Sequence, residues 1–145
     1  MRLNGNGVVD LPIRLMIVVL IVCISVPLLT SAMECGESEN AAAAMDSEID
    51  KIFNAAAAVH YSGIGSSRTV SVTIPDGSEI VIPGGGGSSG YSVQKSYKGH
   101  DAGTRYMESP PIRFVTEHLT ITHTVMLLMT SDIVDGQPVV RVSVV

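Results

Sequence analysis

The stretch that decides the fold is Leu15–Met33, LMIVVLIVCISVPLLTSAM, close to the start of the chain. None of its 19 residues carries a charge. An α-helix rises about 1.5 Å per residue, so this stretch would extend for about 28 Å, which is close to the thickness of a bilayer's hydrocarbon core. The sequence therefore predicts one helix that is able to cross a membrane.

The 112 residues after Met33 have ordinary polarity and are enough for one compact domain. They carry seven basic and thirteen acidic side chains. This excess of acid argues against nucleic-acid binding. Arg2 and Arg14 precede the apolar stretch, whereas Glu34 and Glu37 follow it. Because basic residues stay on the cytoplasmic side, we expect the N-terminus inside and the domain outside.

The leader, residues 1–33, can be interpreted as one of two ordinary export signals. In the first it is a secretory signal peptide cut near Thr30–Ala32, although its apolar run exceeds the usual 7–15 residues. In the second it is an uncleaved signal anchor that holds an extracellular binding or adhesion domain, which does not polymerise. An intact N-terminus is the distinguishing expectation of this second interpretation.

A third interpretation comes from the residues before the apolar stretch, MRLNGNGVVDLPIR. They resemble the class III signal peptide of type IV pilins and archaellins, in which a short basic leader ending in Gly is removed and the apolar helix is kept. A cut between Gly5 and Asn6 would make Asp10 the fifth residue and Pro27 the twenty-second. Bacterial members have Glu at the fifth position and often Pro at the twenty-second.

The resemblance covers residues 1–62 and leaves the site of the cut open. A cut between Gly7 and Val8 is the alternative, and it loses both matches. Asp in place of Glu, together with Pro12 and Arg14 near the start of the helix, departs from the family pattern. The leader and the valine-rich sheet look more archaeal than bacterial.

The resemblance implies a structural subunit of an extracellular filament, with residues 1–5 as leader, 6–62 as helix and 63–145 as extracellular β-domain. It implies that Asp10 sets the axial register by pairing with a neighbour's new N-terminus, and that Pro27 eases a kink. The implied partners are other copies of the chain, a prepilin-type peptidase, an assembly platform, and the membrane through residues 15–33.

The helix is predicted to continue beyond the membrane, through the alanine-rich sequence 40–63. Gly63 marks its C-terminal end. Apolar residues recur there at spacings of four and three, which predicts one face packed on the chain's own domain. This stripe consists of Met45, Ile49, Ile52, Ala56 and Val59. In a filament subunit the same stripe would pack on the domain, and the opposite, alanine-rich face would contact neighbouring subunits.

The rest of the chain predicts short strands separated by turns, hence an α+β protein with an antiparallel sheet or small β-sandwich. Residues 68–74 and 79–82 are expected to form a hairpin through the turn Pro75–Gly77. The glycine run 84–90 is a predicted flexible loop, and 98–111 is predicted to be mostly loop. Further strands are predicted at 91–97, 112–116, 119–129 and 139–145, the last holding the C-terminus in the sheet.

No pattern of reactive residues predicts catalysis, a metal or a cofactor. The glycine run lacks the Gly-Lys-Ser/Thr of a phosphate loop. His118 and His123 lie five apart on a predicted strand, so they face opposite sides. Solvated turns account for His100–Asp101, and serines 66, 67 and 109 have no partnered His and Asp at recognisable spacing. We therefore expect no enzyme activity.

Two cysteines give no disulfide framework. Cys23 and Cys35 are twelve residues apart on the predicted helix, about 18 Å, which is too far for a bridge within one chain. Cys35 is either free or bridges two subunits. The acidic cluster Glu34, Glu37 and Glu39 is expected to be a solvated face beside the membrane.

Overall fold

The computed structural model describes residues 6–85 and 87–145, with side chains from residue 11 onward. One long helix, α1, runs from Asn6 to Ser62 and is unbroken at Pro12 and Pro27. The chain divides into two compact units, one ending at Ser38 and one from Glu39 to Val145. The division therefore falls inside α1, so the last part of the helix belongs to the same unit as the strands.

Eight strands and a short 3₁₀ helix follow α1. The strands are β1 (Ser67–Val72), β2 (Ser78–Ile82), β3 (Ser92–Tyr97), β4 (His100–Tyr106), β5 (Arg113–Val115), β6 (Leu119–Ile121), β7 (Val125–Val134) and β8 (Gln137–Val144), and the 3₁₀ helix is Gly87–Tyr91. They form two four-stranded sheets, in the orders β1-β7-β8-β5 and β4-β3-β2-β6. All neighbours are antiparallel except β5 and β8, which are parallel. The predicted α+β class is confirmed.

Two tight turns fix the register of the long hairpins. β3 and β4 are joined by Lys98–Gly99, and β7 and β8 by Asp135–Gly136, with two residues in each loop. All four of these residues have positive φ, between 48° and 78°. This is the type I′ geometry, whose twist matches that of the paired strands.

Both sheets and the outer part of α1 contribute to one buried core. The five apolar residues of the helix stripe are at most 2 % exposed, and they are Met45, Ile49, Ile52, Ala56 and Val59. Phe114 of β5 is fully buried, and its ring stacks on that of Phe53 with 6.1 Å between centroids. The helix is thus an integral part of this unit, since its apolar face lies in the core.

The predicted hairpin between residues 68–74 and 79–82 is wrong. Both strands exist, but β1 pairs with β7, whereas β2 pairs with β3 and β6 in the other sheet. The segment 75–77 does turn, since Ser78 donates its N–H to the Pro75 carbonyl. That turn carries the chain from one sheet to the other, so partners distant in sequence decide the pairing.

Three other predictions for the strands need correction. Residues 98–111 are not mostly loop, because β4 begins at His100, so His100 and Asp101 lie in a strand. The single strand predicted at 119–129 is two strands, β6 and β7, which belong to different sheets. The glycine run includes the 3₁₀ helix that starts at Gly87, while Gly86 lies outside the described residues.

Candidate functional site

The apolar segment of α1 is exposed on all sides. Between 51 and 75 % of every large apolar residue from Leu11 to Met33 is accessible. Within the described residues α1 is the one helix, counted from Leu11, that is long and apolar enough to cross a membrane, judged by length and composition alone. A signal sequence near an N-terminus meets the same criterion. A surface this apolar has to be covered by lipid or by protein.

The few polar groups inside this segment are satisfied within the helix. The hydroxyl of Ser25 donates to the Ile21 carbonyl at 2.7 Å, and that of Thr30 donates to the Val26 carbonyl at 3.0 Å. Such bonds to the preceding turn remove the cost of placing a hydroxyl in hydrocarbon. Pro27 has no N–H, so the carbonyl of Cys23 lacks its usual helical donor.

The residues predicted to govern processing and register lie largely outside what is described. Gly5 is not among the described residues. Asn6, Gly7, Val8 and Asp10 belong to the first turns of α1 by their backbone, and their side chains are not described. The processing site and the role of Asp10 therefore stay predictions.

Three acidic residues of the outer part of α1 bind residues of the β-domain. The carboxylate of Asp46 accepts a hydrogen bond from the Lys95 ammonium of β3 at 2.7 Å. Asp50 binds the guanidinium of Arg105 on β4 at 2.7 Å. The buried carboxylate of Glu48 accepts the N–H of Thr73 at 3.0 Å. These contacts fix the position of the helix on the domain more closely than burial of the apolar stripe alone, because two of them bind helical positions to β3 and β4 and the third binds one to Thr73, just after β1.

The alanine-rich face is only partly free. Ala43 and Ala44 are exposed, but Ala55 and Ala56 are buried in the domain. The second alanine tetrad thus serves mainly the core. Polar residues such as Ser47 and Asn54 share the exposed face with the first tetrad.

The residues considered for catalysis do not converge. His118 and His123 lie in the loops on either side of β6 instead of on one strand. The hydroxyl of Ser66 is engaged by the carbonyls of Val59 and Gly63, both at 2.7 Å. Among the described residues, no group of three His, Cys, Asp or Glu side chains is placed to hold a metal ion. Cys23 and Cys35 are exposed free thiols.

A shallow cavity of about 570 Å³ lies beside the end of β8, next to the loop that joins β5 and β6. Its ionisable groups are Glu117, His118 and Arg141. Arg141 is already bound to Asp132 at 2.8 Å. This hydrogen bond, helped by the N–H of Ile133, holds the pKa of the Asp132 carboxyl below its ordinary value. Arg141 is therefore held within the β7–β8 hairpin, which leaves Glu117 and His118 as the other ionisable groups of the cavity.

Comparison with known proteins identifies no relative: no family model matches the chain, nor does any curated protein or solved structure.

Proposed function

We propose that the protein is a structural subunit of a type IV pilus-like filament on the outer cell surface. Its helix anchors the subunit in the membrane before assembly and packs in the filament afterwards. This proposal rests on the leader resemblance and on the architecture of a folded β-domain built around the end of an apolar helix. The role is structural and involves neither catalysis nor nucleic acid.

The observation that carries the proposal is that the apolar segment is exposed on all sides, in a helix whose other end is packed in the core of the domain. Every large apolar side chain between Leu11 and Met33 is more than half accessible, whereas the stripe farther along α1 is buried. Lipid covers this surface in the membrane-inserted subunit before assembly. Outside the membrane, helices of neighbouring copies provide the cover by van der Waals packing.

Asp10 and Pro27 have specific tasks in this mechanism. An unpaired carboxylate in hydrocarbon has a high free energy, so pairing with a cation would stabilise Asp10 in the membrane or the filament. The new N-terminal amino group of a neighbouring subunit, left by a cut before Asn6, supplies one and sets the axial register. Pro27 removes one helical hydrogen bond, which lowers the cost of bending α1 when helices crowd together.

The mechanism requires a prepilin-type peptidase to remove residues 1–5 on the cytoplasmic side, and an assembly platform to extract the subunit. The acidic residues after the apolar segment and the arginines before it favour this orientation. The β-domain then forms the outer surface of the filament.

N-terminal sequencing and intact-mass measurement, on membranes and on material sheared from cells, test the proposal. We expect a start at Asn6 in both fractions and filaments in the sheared fraction by electron microscopy. A start at Val8 keeps the filament and removes the register role of Asp10. An intact Met1 without filaments favours the anchored domain, and a start near Glu34 indicates a freely secreted domain.

Two matched variants locate the cut. Gly5→Val should block processing and assembly if the peptidase cuts after Gly5, whereas Gly7→Val should be processed normally. The opposite pattern would assign the cut to Gly7. Normal processing of both variants would contradict a class III leader.

A further inference from the structure

We propose that a groove between α1 and β1 receives the acidic segment Glu34–Glu37 of a second copy of this chain. This inference rests on the proposed function, because it concerns contacts between assembled subunits. The groove has a volume of about 340 Å³. Its walls are formed by Lys51, Asn54, Ala55, Arg68, Thr69, Val70 and Ser71, and we call it the α1–β1 groove.

The α1–β1 groove lies at a free edge of a sheet. β1 is the outer strand in the order β1-β7-β8-β5, so its far side has no strand partner among the described residues. Arg68, Thr69 and Ser71 are exposed along this strand, and Lys51 and Asn54 are exposed on the helix opposite. The groove is therefore accessible to another molecule.

The charge of the α1–β1 groove is opposite to that of the unit around it. From Glu39 to Val145 the chain carries eleven acidic and seven basic side chains. The walls of the groove nevertheless contain two cations and no carboxylate. Lys51 is half exposed and is bound on one side by Glu48 at 2.6 Å. Among the described residues Arg68 has no ion pair, which leaves its charge for a partner.

Three other cations of this unit already have a carboxylate partner. Lys95, Arg105 and Arg141 each bind a carboxylate of the same chain at 2.7 or 2.8 Å. Arg68 and Arg113 have no carboxylate partner in the part of the chain that is described. Arg113 is partly buried, whereas the side chain of Arg68 is exposed on the edge strand β1.

The acidic segment has the complementary chemistry and the right place in a filament. Glu34 and Glu37 are exposed and lie three residues apart, so both are on one side of α1. When copies of α1 pack side by side with an axial stagger, the outer part of one helix comes beside the juxtamembrane part of another. Opposite charges at that contact favour one stagger over others, because like charges repel in the alternatives.

Cysteine cross-linking tests the contact directly, with one thiol placed on the acidic face of α1. Cys35 does not lie on that face, because at about 100° per residue its side chain points about 130° away from the midpoint of Glu34 and Glu37. The full chain therefore carries Cys23→Ala, Cys35→Ser and Glu37→Cys, with one new thiol in the groove, Thr69→Cys. Mild oxidation of sheared filaments should give a ladder of disulfide-linked dimers and larger species, because every copy carries both thiols. The ladder should vanish with reductant and in the matched variant that keeps Glu37.

Thr104→Cys, exposed on β4 in the other sheet, is the control position. Filaments of the Thr69→Cys variant that form normally but give no ladder through the thiol at position 37 would overturn the inference and leave the proposed function standing. An equal ladder from Thr104→Cys would also overturn it. Failure to find any processed, filamentous material would instead refute the proposed function.

A charge exchange gives an independent readout. Arg68→Glu should lower filament yield at least tenfold at low salt, and adding Glu34→Arg should restore most of it. Unchanged yield from Arg68→Glu, or no recovery in the double variant, would contradict the pairing. Weaker retention on vesicles containing anionic lipid, with unchanged filaments, would assign Arg68 to lipid and overturn the inference.

Discussion

Replacing Asp46 by Asn removes the carboxylate that neutralises a buried ammonium. The side chain of Lys95 is 9 % exposed, whereas that of Asp46 is 40 % exposed, and 2.7 Å separates their charged atoms. Breaking a fully buried pair costs about 3–5 kcal/mol, and an exposed pair contributes about 0.2–1 kcal/mol. Asn keeps an oxygen that accepts a hydrogen bond, so we expect Asp46→Asn to lower the free energy of unfolding by about 1–2 kcal/mol.

The difference in burial makes this pair asymmetric. Lys95→Met takes the ammonium out of the buried position and leaves Asp46 partly in water, with Arg105 3.8 Å away. We therefore expect Lys95→Met to cost less than about 1 kcal/mol. Adding it to Asp46→Asn should recover stability, because the buried charge that lacked a partner is then gone.

Urea unfolding of the full chain in detergent, followed by far-ultraviolet circular dichroism, measures all three variants. Asp132→Asn is the control, since it breaks the Arg141 pair whose side chains are 54 % and 42 % exposed. Its cost should be smaller than that of Asp46→Asn, because an exposed pair contributes little. Equal losses from Asp46→Asn and Lys95→Met, or additive losses in the double variant, would refute this reasoning.

Three further predictions concern the leader, a loop and pH. Asp10→Ala should insert and fold normally yet yield few filaments, whereas Asp10→Glu should assemble; normal filament counts from Asp10→Ala by electron microscopy would refute the register role. Gly84→Ala should unfold at lower urea than Gly85→Ala. Both glycines have positive φ, but only at Gly84 would a Cβ overlap a main-chain oxygen, that of Thr116. The pKa of Asp132 is lowered, chiefly by its arginine partner, so its contribution to stability is present above the ordinary carboxyl pKa and is lost as pH falls through the folded value. The gap in urea midpoint between wild type and Asp132→Asn should therefore close as pH falls below the ordinary carboxyl pKa, and a constant gap would contradict this.

Hydrophobic periodicity was sufficient to predict the elements that bury one face. The stripe from Met45 to Val59 follows helical spacing, and all five of its members are at most 2 % exposed. On β1, Val72 is buried and Val70 half-buried, as alternation predicts. These features depend on local geometry alone, which is why a single sequence reveals them.

Strand pairing depends on contacts between residues that are distant in sequence, and the prediction of a single strand at 119–129 was wrong for this reason. Apolar residues occupy alternate positions from Leu119 to Met129, with the exception of His123, so period two continues across the break between β6 and β7. Nothing in the alternation shows that the chain changes sheet at residues 122–124. The run of three polar residues there was the available signal.

β4 was missed because its composition is unlike that of a strand. His100, Asp101 and Gly103 are rarely found in strands, yet β4 pairs with β3 along its length. Gly99 was the one sequence signal of the Lys98–Gly99 turn, because the positive φ of Lys98 is visible only in the structure. The contacts of Asp46 and Asp50 depend on β3 and β4, so they were not predictable either.

The apolar surfaces of the two parts of α1 are shielded from water in different ways. This difference restricts the oligomeric state of the protein outside a membrane. The outer part has one buried face, so a single domain is enough to cover it. The segment from Leu11 to Met33 is more than half exposed in every direction, so one neighbouring helix would cover only a fraction of it. A dimer in water would still expose a large apolar surface, which favours further association. A membrane accommodates a monomer, but material released from cells with this segment intact has to be multimeric, each helix surrounded by several others. Size-exclusion chromatography of detergent-free sheared material that yields intact, processed monomers or dimers would refute that conclusion.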